Sequence, residues 1–317
     1  MAEISAGQEF EEVLHLQPPE TLTGSAWIKH ASINFIAGCM GGAAGTLVGH
    51  PFDTVKVRIQ TQGAKKLYTG ALDCVTKTIK SEGVNGVYKG ITAPLLGLTS
   101  INAIIFGVHG SAVKYMQPGL RTEVLAGMMA GAAQMVIIIP IELAKTRLQV
   151  QGQGQRLKKD RKVYTGPLDC LKKIYKMEGI RGCYRGTLAG ILRDIPGFGV
   201  YFGTYFTLTH AILPKGKTIN DIGPIELMLA GGLTGMISWT FSYPADMIKS
   251  KIQAEGLAPV GKYKSYADCI RQSIKAEGYG VFTRGLSVCV VRAFPVNAAT
   301  FAGVEVALRL MGEHRKT

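Results

Sequence analysis

The chain has 317 residues, 47% of them hydrophobic, with 40 glycines and a mean hydropathy of +0.17. Its net charge of +14 comes without a long basic run or aromatic interleaving, which argues against nucleic acid and suits a basic rim facing anionic lipid. There is no HExxH, no GxSxG, no phosphate-cradling glycine loop and no cluster among the six histidines, so no enzyme, cofactor or metal site is expected.

In chain order, residues 1–29 form an acidic head with five glutamates before Lys29. It lacks the features of a secretory signal or an Arg-rich transit peptide and is expected to be a mobile tail. Apolar windows follow at Ile33–Gly49, Ile91–Val113, Val124–Ile141, Thr187–Leu213, Ile225–Tyr243 and Leu286–Met311. Each is about long enough, as a helix, to cross a ~30 Å hydrocarbon core. Glycines step by four at Gly38/Gly42, Gly41/Gly45/Gly49, Gly127/Gly131 and Gly231/Gly235. Small residues on one face let helices approach closely in lipid.

The chain repeats itself. PFDTVKVRIQ at 51–60, PIELAKTRLQ at 140–149 and PADMIKSKIQ at 244–253 share one template: proline, acid, two bases and a closing glutamine. Downstream of these lie YTGALDC, YTGPLDC and YKSYADC, then EGVNGVYKG, EGIRGCYRG and EGYGVFTRG, each followed by an apolar helix. The expected fold is therefore an all-α membrane protein. It has six transmembrane helices in three pseudo-threefold repeats, 30–120, 121–219 and 220–317, each with a short amphipathic helix. Two crossings per repeat give every copy the same orientation, the parallel kind of transporter repeat. No strand period is evident. Cys74, Cys170 and Cys269 sit at corresponding places and are expected to be small buried thiols inherited by duplication.

Proline inside a helix removes a backbone bond, so Pro51, Pro140 and Pro244 are expected to kink the odd-numbered helices at one level. The acid at +2 and the base at +5 share a helix face. An acid on one helix can thus meet a base on the next. Arg193, Asp194 and Arg292 lie deep in apolar windows, where ionisable residues line a polar path or pair with each other. Aligned on the glycine before each even helix, Gly97, Arg193 and Arg292 share one depth. Arg292 can clamp a carboxylate, Asp194 can face an ammonium, and Arg193 can do the first or orient the second. The set suits a zwitterion carrying a further cationic nitrogen. Asn102 and Asn297, each twelve residues after its glycine, can add neutral hydrogen bonds or join helices.

The threefold P-x-[DE]-x-x-[KR]-x-[KR] motif, with E-G and [KR]-G downstream, resembles the mitochondrial carrier family over about residues 30–312. The resemblance implies a monomeric carrier of the inner mitochondrial membrane and puts the amphipathic helices on the matrix side. It implies a matrix gate of three ion pairs, Asp53–Lys145, Glu142–Lys249 and Asp246–Lys56, braced by Gln60, Gln149 and Gln253. It makes the depth of Gly97, Arg193 and Arg292 the substrate contact level, with Asp194, Asn102 and Asn297 read from the residues as the further candidate contacts. It also implies cardiolipin at turns opening helices, at Gly70, Gly90, Gly166 and Gly186, consistent with the affinity of helix N-termini for phosphate. Arg193-Asp194 and RAFPVNAATF (292–301) resemble the branch that carries basic amino acids and acylcarnitines. Basic amino acids are the first expectation, with acylcarnitine, along Gly97, Leu98, Phe198 and Val296, as the second. A non-transporting or proton-leak relative is the rival of another class. The cytoplasmic-side ion motif is degenerate: Gly110/Val113, Phe206/Thr209 and Glu305/Leu308 stand where it would be, leaving Lys114 and Arg309 nearby.

Overall fold

The computed structural model describes residues 25–62, 67–117, 119–153, 164–212, 224–255 and 263–312. Most of the expected acidic tail, residues 1–24, lies outside the described residues, while 25–29 begin the first helix. The described residues form α1 (Ser25–Thr61), α2 (Ala71–Glu82), α3 (Thr92–Tyr115), α4 (Leu120–Ala133), α5 (Met135–Val150), α6 (Pro167–Cys183), α7 (Thr187–Ile212), α8 (Pro224–Ala254), α9 (Tyr266–Glu277) and α10 (Leu286–Leu310). No strand occurs among the described residues.

The long helices close a ring in the order α1, α3, α4–α5, α7, α8, α10 and back to α1. Inside it, α1, α5 and α8 also touch one another. The ring is apolar outside and charged inside, the reverse of a water-soluble domain. On α8, Leu229, Leu233, Ile237 and Phe241 are exposed at four-residue steps, one stripe facing outward. Lys56, Arg193, Asp194, Asp246, Lys249 and Arg292 are buried. Such a surface belongs in lipid, where helices satisfy their own backbone. Two stretches, Thr92–Tyr115 and Tyr279–Leu310, are each long and apolar enough to cross a membrane, and bent α4–α5 passes as one span. At about 1.5 Å per residue, α1, α7 and α8 with 37, 26 and 31 residues are also long enough, but charges, hydroxyls and glycines dilute their hydropathy.

Several of the stepped glycines are contact points. A Cβ on Gly127 would lie 2.7 Å from the Phe198 carbonyl oxygen, and one on Gly131 would lie 3.1 Å from that of Asp194, so α4 and α7 pack backbone to backbone. Gly303 brings α10 equally close to Gly41 and Ala44 of α1.

Each short helix, α2, α6 and α9, opens on the same device. The carboxylates of Asp73, Asp169 and Asp268 accept the backbone N–H of Thr69, Thr165 and Lys264 at 2.9, 2.9 and 2.8 Å. These bonds, with the Lys77 ammonium first for Asp73, hold all three carboxyls below the usual aspartate range. The Glu-Gly turns need glycine: Gly83, Gly179 and Gly278 have φ of +77°, +67° and +73°. Beneath the short helices, Cys74, Cys170 and Cys269 are buried and unbonded to one another. Burial pushes their thiols up to about 11, 12 and 11.

The kinks depart from the sequence expectation in repeat 2. Pro140 sits within continuous α5, and the 61° break falls at Gln134, between α4 and α5. The Gln134 carbonyl there accepts from both Ile137 and Ile138 at 3.0 Å. Pro140 cannot donate to the carbonyl of Val136, but the Tyr184 hydroxyl does so at 2.9 Å. The lost bond is thus replaced without a break. Pro51 and Pro244 likewise lie inside the continuous helices α1 and α8.

Candidate substrate path and gate

The repeated acids and bases meet where α1, α5 and α8 converge. Lys145 Nζ lies 2.8 Å from Asp53 Oδ2, Lys56 Nζ lies 2.7 Å from Asp246 Oδ2, and Lys249 pairs with Glu142. Each pair joins two repeats. The motif spacing causes this: acid and base on one face of each helix point to opposite neighbours in a three-helix ring.

The deeper residues do not stand apart from this ring. Arg193 Nη2 lies 2.7 Å from Glu142 Oε1 and Nη1 lies 3.2 Å from Asp246 Oδ1, while Nε contacts Asp194. Asp194 is also 3.8 Å from Lys249. Arg292 Nε is 3.1 Å from Asp53 Oδ1. One network therefore holds Asp53, Glu142, Asp194 and Asp246 against Lys56, Lys145, Lys249, Arg193 and Arg292. Buried charges of this kind are costly to leave without partners.

The glutamines differ among themselves. Gln60 Nε2 donates to Asp246 Oδ2 at 3.0 Å. Gln149 instead donates to Thr54 at 3.2 Å, and Gln253 accepts from Thr146 at 3.4 Å. Only Gln60 thus meets a ring carboxylate. Gln149 and Gln253 bond the threonines next to ring residues Asp53 and Lys145 instead.

A cavity of about 90 Å³ lies against the ring, lined by all three pairs, Arg193, Leu98, Ile101, Ile138, Ile141 and Trp239 among others. That is room for several waters. Gly97 is buried, and its Cα faces the Ile141 side chain rather than the cavity. Asn102 and Asn297 are half-buried on α3 and α10 and do not line it.

Two sets of residues went unread in the sequence. Lys56 Nζ sits 4.2 Å from the Trp239 ring centroid, a cation–π contact that holds the lysine between Trp239 and Asp246. Below the ring, the glutamate of each Glu-Gly turn is gripped twice. Glu82 takes Arg58 at 2.6 Å and Lys89; Glu178 takes Arg147 at 3.9 Å and Arg185 at 3.5 Å; Glu277 takes Lys251 and Arg284. The signal was present, since glutamate and both bases recur at fixed spacing in all three repeats. This tier ties each short helix to the odd helix of its own repeat.

Of the four expected lipid turns, Gly70 and Gly166 cap α2 and α6 with extended backbone and no side-chain cap. Gly70 borders a cavity of about 260 Å³ with Tyr68, Arg284 and Ser287. Gly90 and Gly186, with φ of +84° and +89°, serve as seats for the next odd helix: a Cβ would lie 3.1 Å from the Lys145 carbonyl and from Gln253 Cγ respectively. In repeat 3, Ser265 fills the Gly70 position and caps α9 itself.

At the end of the barrel away from the ring, the ion pairs among described residues are few. His109 Nε2 is 3.1 Å from Glu123 and its ring stacks on Phe202, and Glu305 pairs with Arg309 on its own helix.

The chain matches the family described as mitochondrial carrier protein over residues 29–120, 117–216 and 220–315. It is 50% identical over 281 residues to the mitochondrial basic amino acids transporter of Bos taurus, covering 87% of this chain and 91% of that one. The transporter of the same name from Homo sapiens is 50% identical over 281 residues, 87% and 90% of the two chains. The mitochondrial carnitine/acylcarnitine carrier protein of Mus musculus is 39% identical over 290 residues, 88% and 94%.

Proposed function

The chain belongs to the mitochondrial carrier family, a multi-pass transporter of the inner mitochondrial membrane rather than an enzyme, and from that premise we propose that it carries lysine and arginine by alternating access. The observation that supports this most is the sharing of Arg193, Asp194 and Arg292 with the three-pair ring. A substrate with a carboxylate and an ammonium has the groups to take over these contacts. Its carboxylate takes Arg292 and frees Asp53. Its α-ammonium takes Asp194 and frees Arg193 from Glu142 and Asp246. The ring then loses the ties that hold it shut, and binding becomes opening. Such a gate must be offset by substrate binding, which suits several modest pairs better than one very strong one.

The sequence relatives named for basic amino acids support the same substrate class. Acylcarnitine is the second reading, from the 39% identical relative. The packing favours it less. Phe198 is buried in the apolar cluster with Ile139 and Ala130, and Val296 packs on Gly45 and Gly49 of α1. Neither is free to line an acyl channel in this conformation. A non-transporting role is disfavoured because every ring charge is kept and paired. Cardiolipin is proposed at the Gly70, Gly90, Gly166 and Gly186 turns, with one copy sufficing for transport.

The test is uptake into liposomes containing the purified protein, comparing labelled lysine, arginine, carnitine and palmitoylcarnitine with and without internal substrate. Uptake of lysine and arginine alone, raised by internal amino acid, is expected and would establish exchange. Uptake of carnitine species alone would replace the reading with the second one.

A further inference from the structure

The proposed reading leaves one substrate group unplaced: the side-chain cation. Each ring carboxylate is held by a lysine, and Asp194 is held by Arg193. One helical turn beyond the cavity, away from the ring, lie a carboxamide with neither atom bonded and a second whose oxygen is unbonded. Gln134 is fully buried, and neither its Oε1 nor its Nε2 has a hydrogen-bond partner. Asn102 Oδ1 is also buried and unpartnered.

Their level follows from the helices. Asn102 comes four residues after Leu98 on α3, and Gln134 four before Ile138 at the start of α5. Leu98 and Ile138 both line the cavity. The two helices run in opposite directions, since Gly90, just before α3, packs on Lys145 near the end of α5. Both steps therefore lead the same way, away from the ring. Ile101 and Ile138 share one apolar cluster, which holds the helices together at that height.

Gln134 is not needed to shape the break it occupies, because its backbone carbonyl makes the local bonds. The matching positions in the other repeats are used for packing. Gly45 lies against Thr300, and Ser238 Oγ donates to the Gly197 carbonyl at 3.1 Å. Only repeat 2 buries an amide there without a partner, and an unpaired buried polar group needs an explanation.

We propose that Gln134 and Asn102 form the subsite for the substrate's side-chain nitrogen, and that they select cations bearing N–H donors. This rests on the basic amino acid reading. With the α-groups on Arg292 and Asp194, an extended side chain reaches about one helical turn, about 5.4 Å. A protonated amine or a guanidinium donates to the amide oxygens. A quaternary ammonium has no N–H and leaves both oxygens unpaired, the mismatch that polar sites reject most strongly.

The test compares lysine with its Nε-trimethyl derivative in liposomes holding the wild-type protein, Gln134→Met, Asn102→Leu and the double variant. Wild type is expected to prefer lysine by about tenfold or more, and the double variant to lose most of that preference. Thermal unfolding is measured alongside. Removing an unpaired amide for an apolar group of similar shape should leave the melting temperature unchanged or raise it, whereas a structural amide would lower it. If Gln134→Met melts higher but keeps the wild-type preference, the amides only house water and the inference falls. If wild type takes up no basic amino acid, the underlying reading fails instead. If a variant melts too low to assay, Gln134→Glu is the second probe. It keeps the acceptor, and a lysine KM unmoved by the added charge would also overturn the subsite.

Discussion

The two ends of the barrel are built from different materials. At the matrix end, α1, α5 and α8 are bound by an ion network in which every acid touches more than one base. At the cytoplasmic end, contact rests on glycine-mediated backbone approach, aromatic stacking and one interhelical His109–Glu123 pair among the described residues. Ion pairs can be exchanged for substrate contacts, whereas close-packed backbone cannot. The difference teaches where the proposed gate has exchangeable contacts: the ring holds charged partners that a substrate can replace, while the other end is a closely packed seam of small residues.

The comparison breaks most sharply at the arginines. Arg292→Ala leaves Asp53 with Lys145 alone, and Arg193→Ala leaves Glu142 and Asp246 with one lysine each and Asp194 with only the 3.8 Å contact to Lys249. A hydrogen bond to a charged group contributes about 1.5–3 kcal/mol, and each arginine is proposed to hold both the network and the substrate, so lysine uptake should fall by more than about a hundredfold with insertion preserved. Uptake within a few-fold of wild type would detach these residues from the path. Next in size are the matrix glutamates. Glu277→Gln leaves Lys251 and Arg284 without their shared carboxylate, and a loss of about 1–3 kcal/mol should lower the melting temperature in detergent. A melting curve unchanged from wild type would show that the second tier is not holding the repeat together.

At the cytoplasmic end the effect should be small. Glu123→Gln replaces the carboxylate of a largely buried contact with an amide that can still hydrogen-bond His109, a change of about 1 kcal/mol. Transport should stay within about twofold, and a loss as large as that of Arg292→Ala would erase the contrast between the ends. Smallest of all is the pH response of the helix-opening aspartates. Asp73, Asp169 and Asp268 titrate lower in the fold than the ordinary 3.8. A depressed folded value contributes stability above the unfolded pKa and loses it as pH falls through the folded one. Asp→Asn at the three sites should therefore lower the melting temperature slightly near neutrality, with the gap to wild type closing below about pH 4. A gap that widens in acid would contradict the capping role.

Much of the architecture was legible because duplication wrote it three times. Proline, acid, base and glutamine at fixed steps determine which helix face carries charge, while the particular pairs Asp53–Lys145, Glu142–Lys249 and Asp246–Lys56 were implied by the family resemblance. The 61° break at Gln134 was not legible, because proline marks a lost hydrogen bond but not whether Tyr184 replaces it. The threonine partners of Gln149 and Gln253 lie on neighbouring helices, so they are set by tertiary packing that the repeat spacing does not encode. Arg193 reaches acids on three helices because its side chain is long and the depth of α7 relative to α5 and α8 is a tertiary quantity. Gln134 itself looks unremarkable in sequence, since only burial without a partner singles it out.

The central claim is that the ring must part for transport. Thr54 and Gln149 bridge α1 and α5 beside it, so cysteines at these two positions, in a background lacking the native thiols, can be joined by a short reducible bifunctional thiosulfonate. The account predicts that the joined protein carries no lysine, that reduction restores uptake, and that lysine or arginine slows the joining. Full-rate uptake by the joined protein would contradict it.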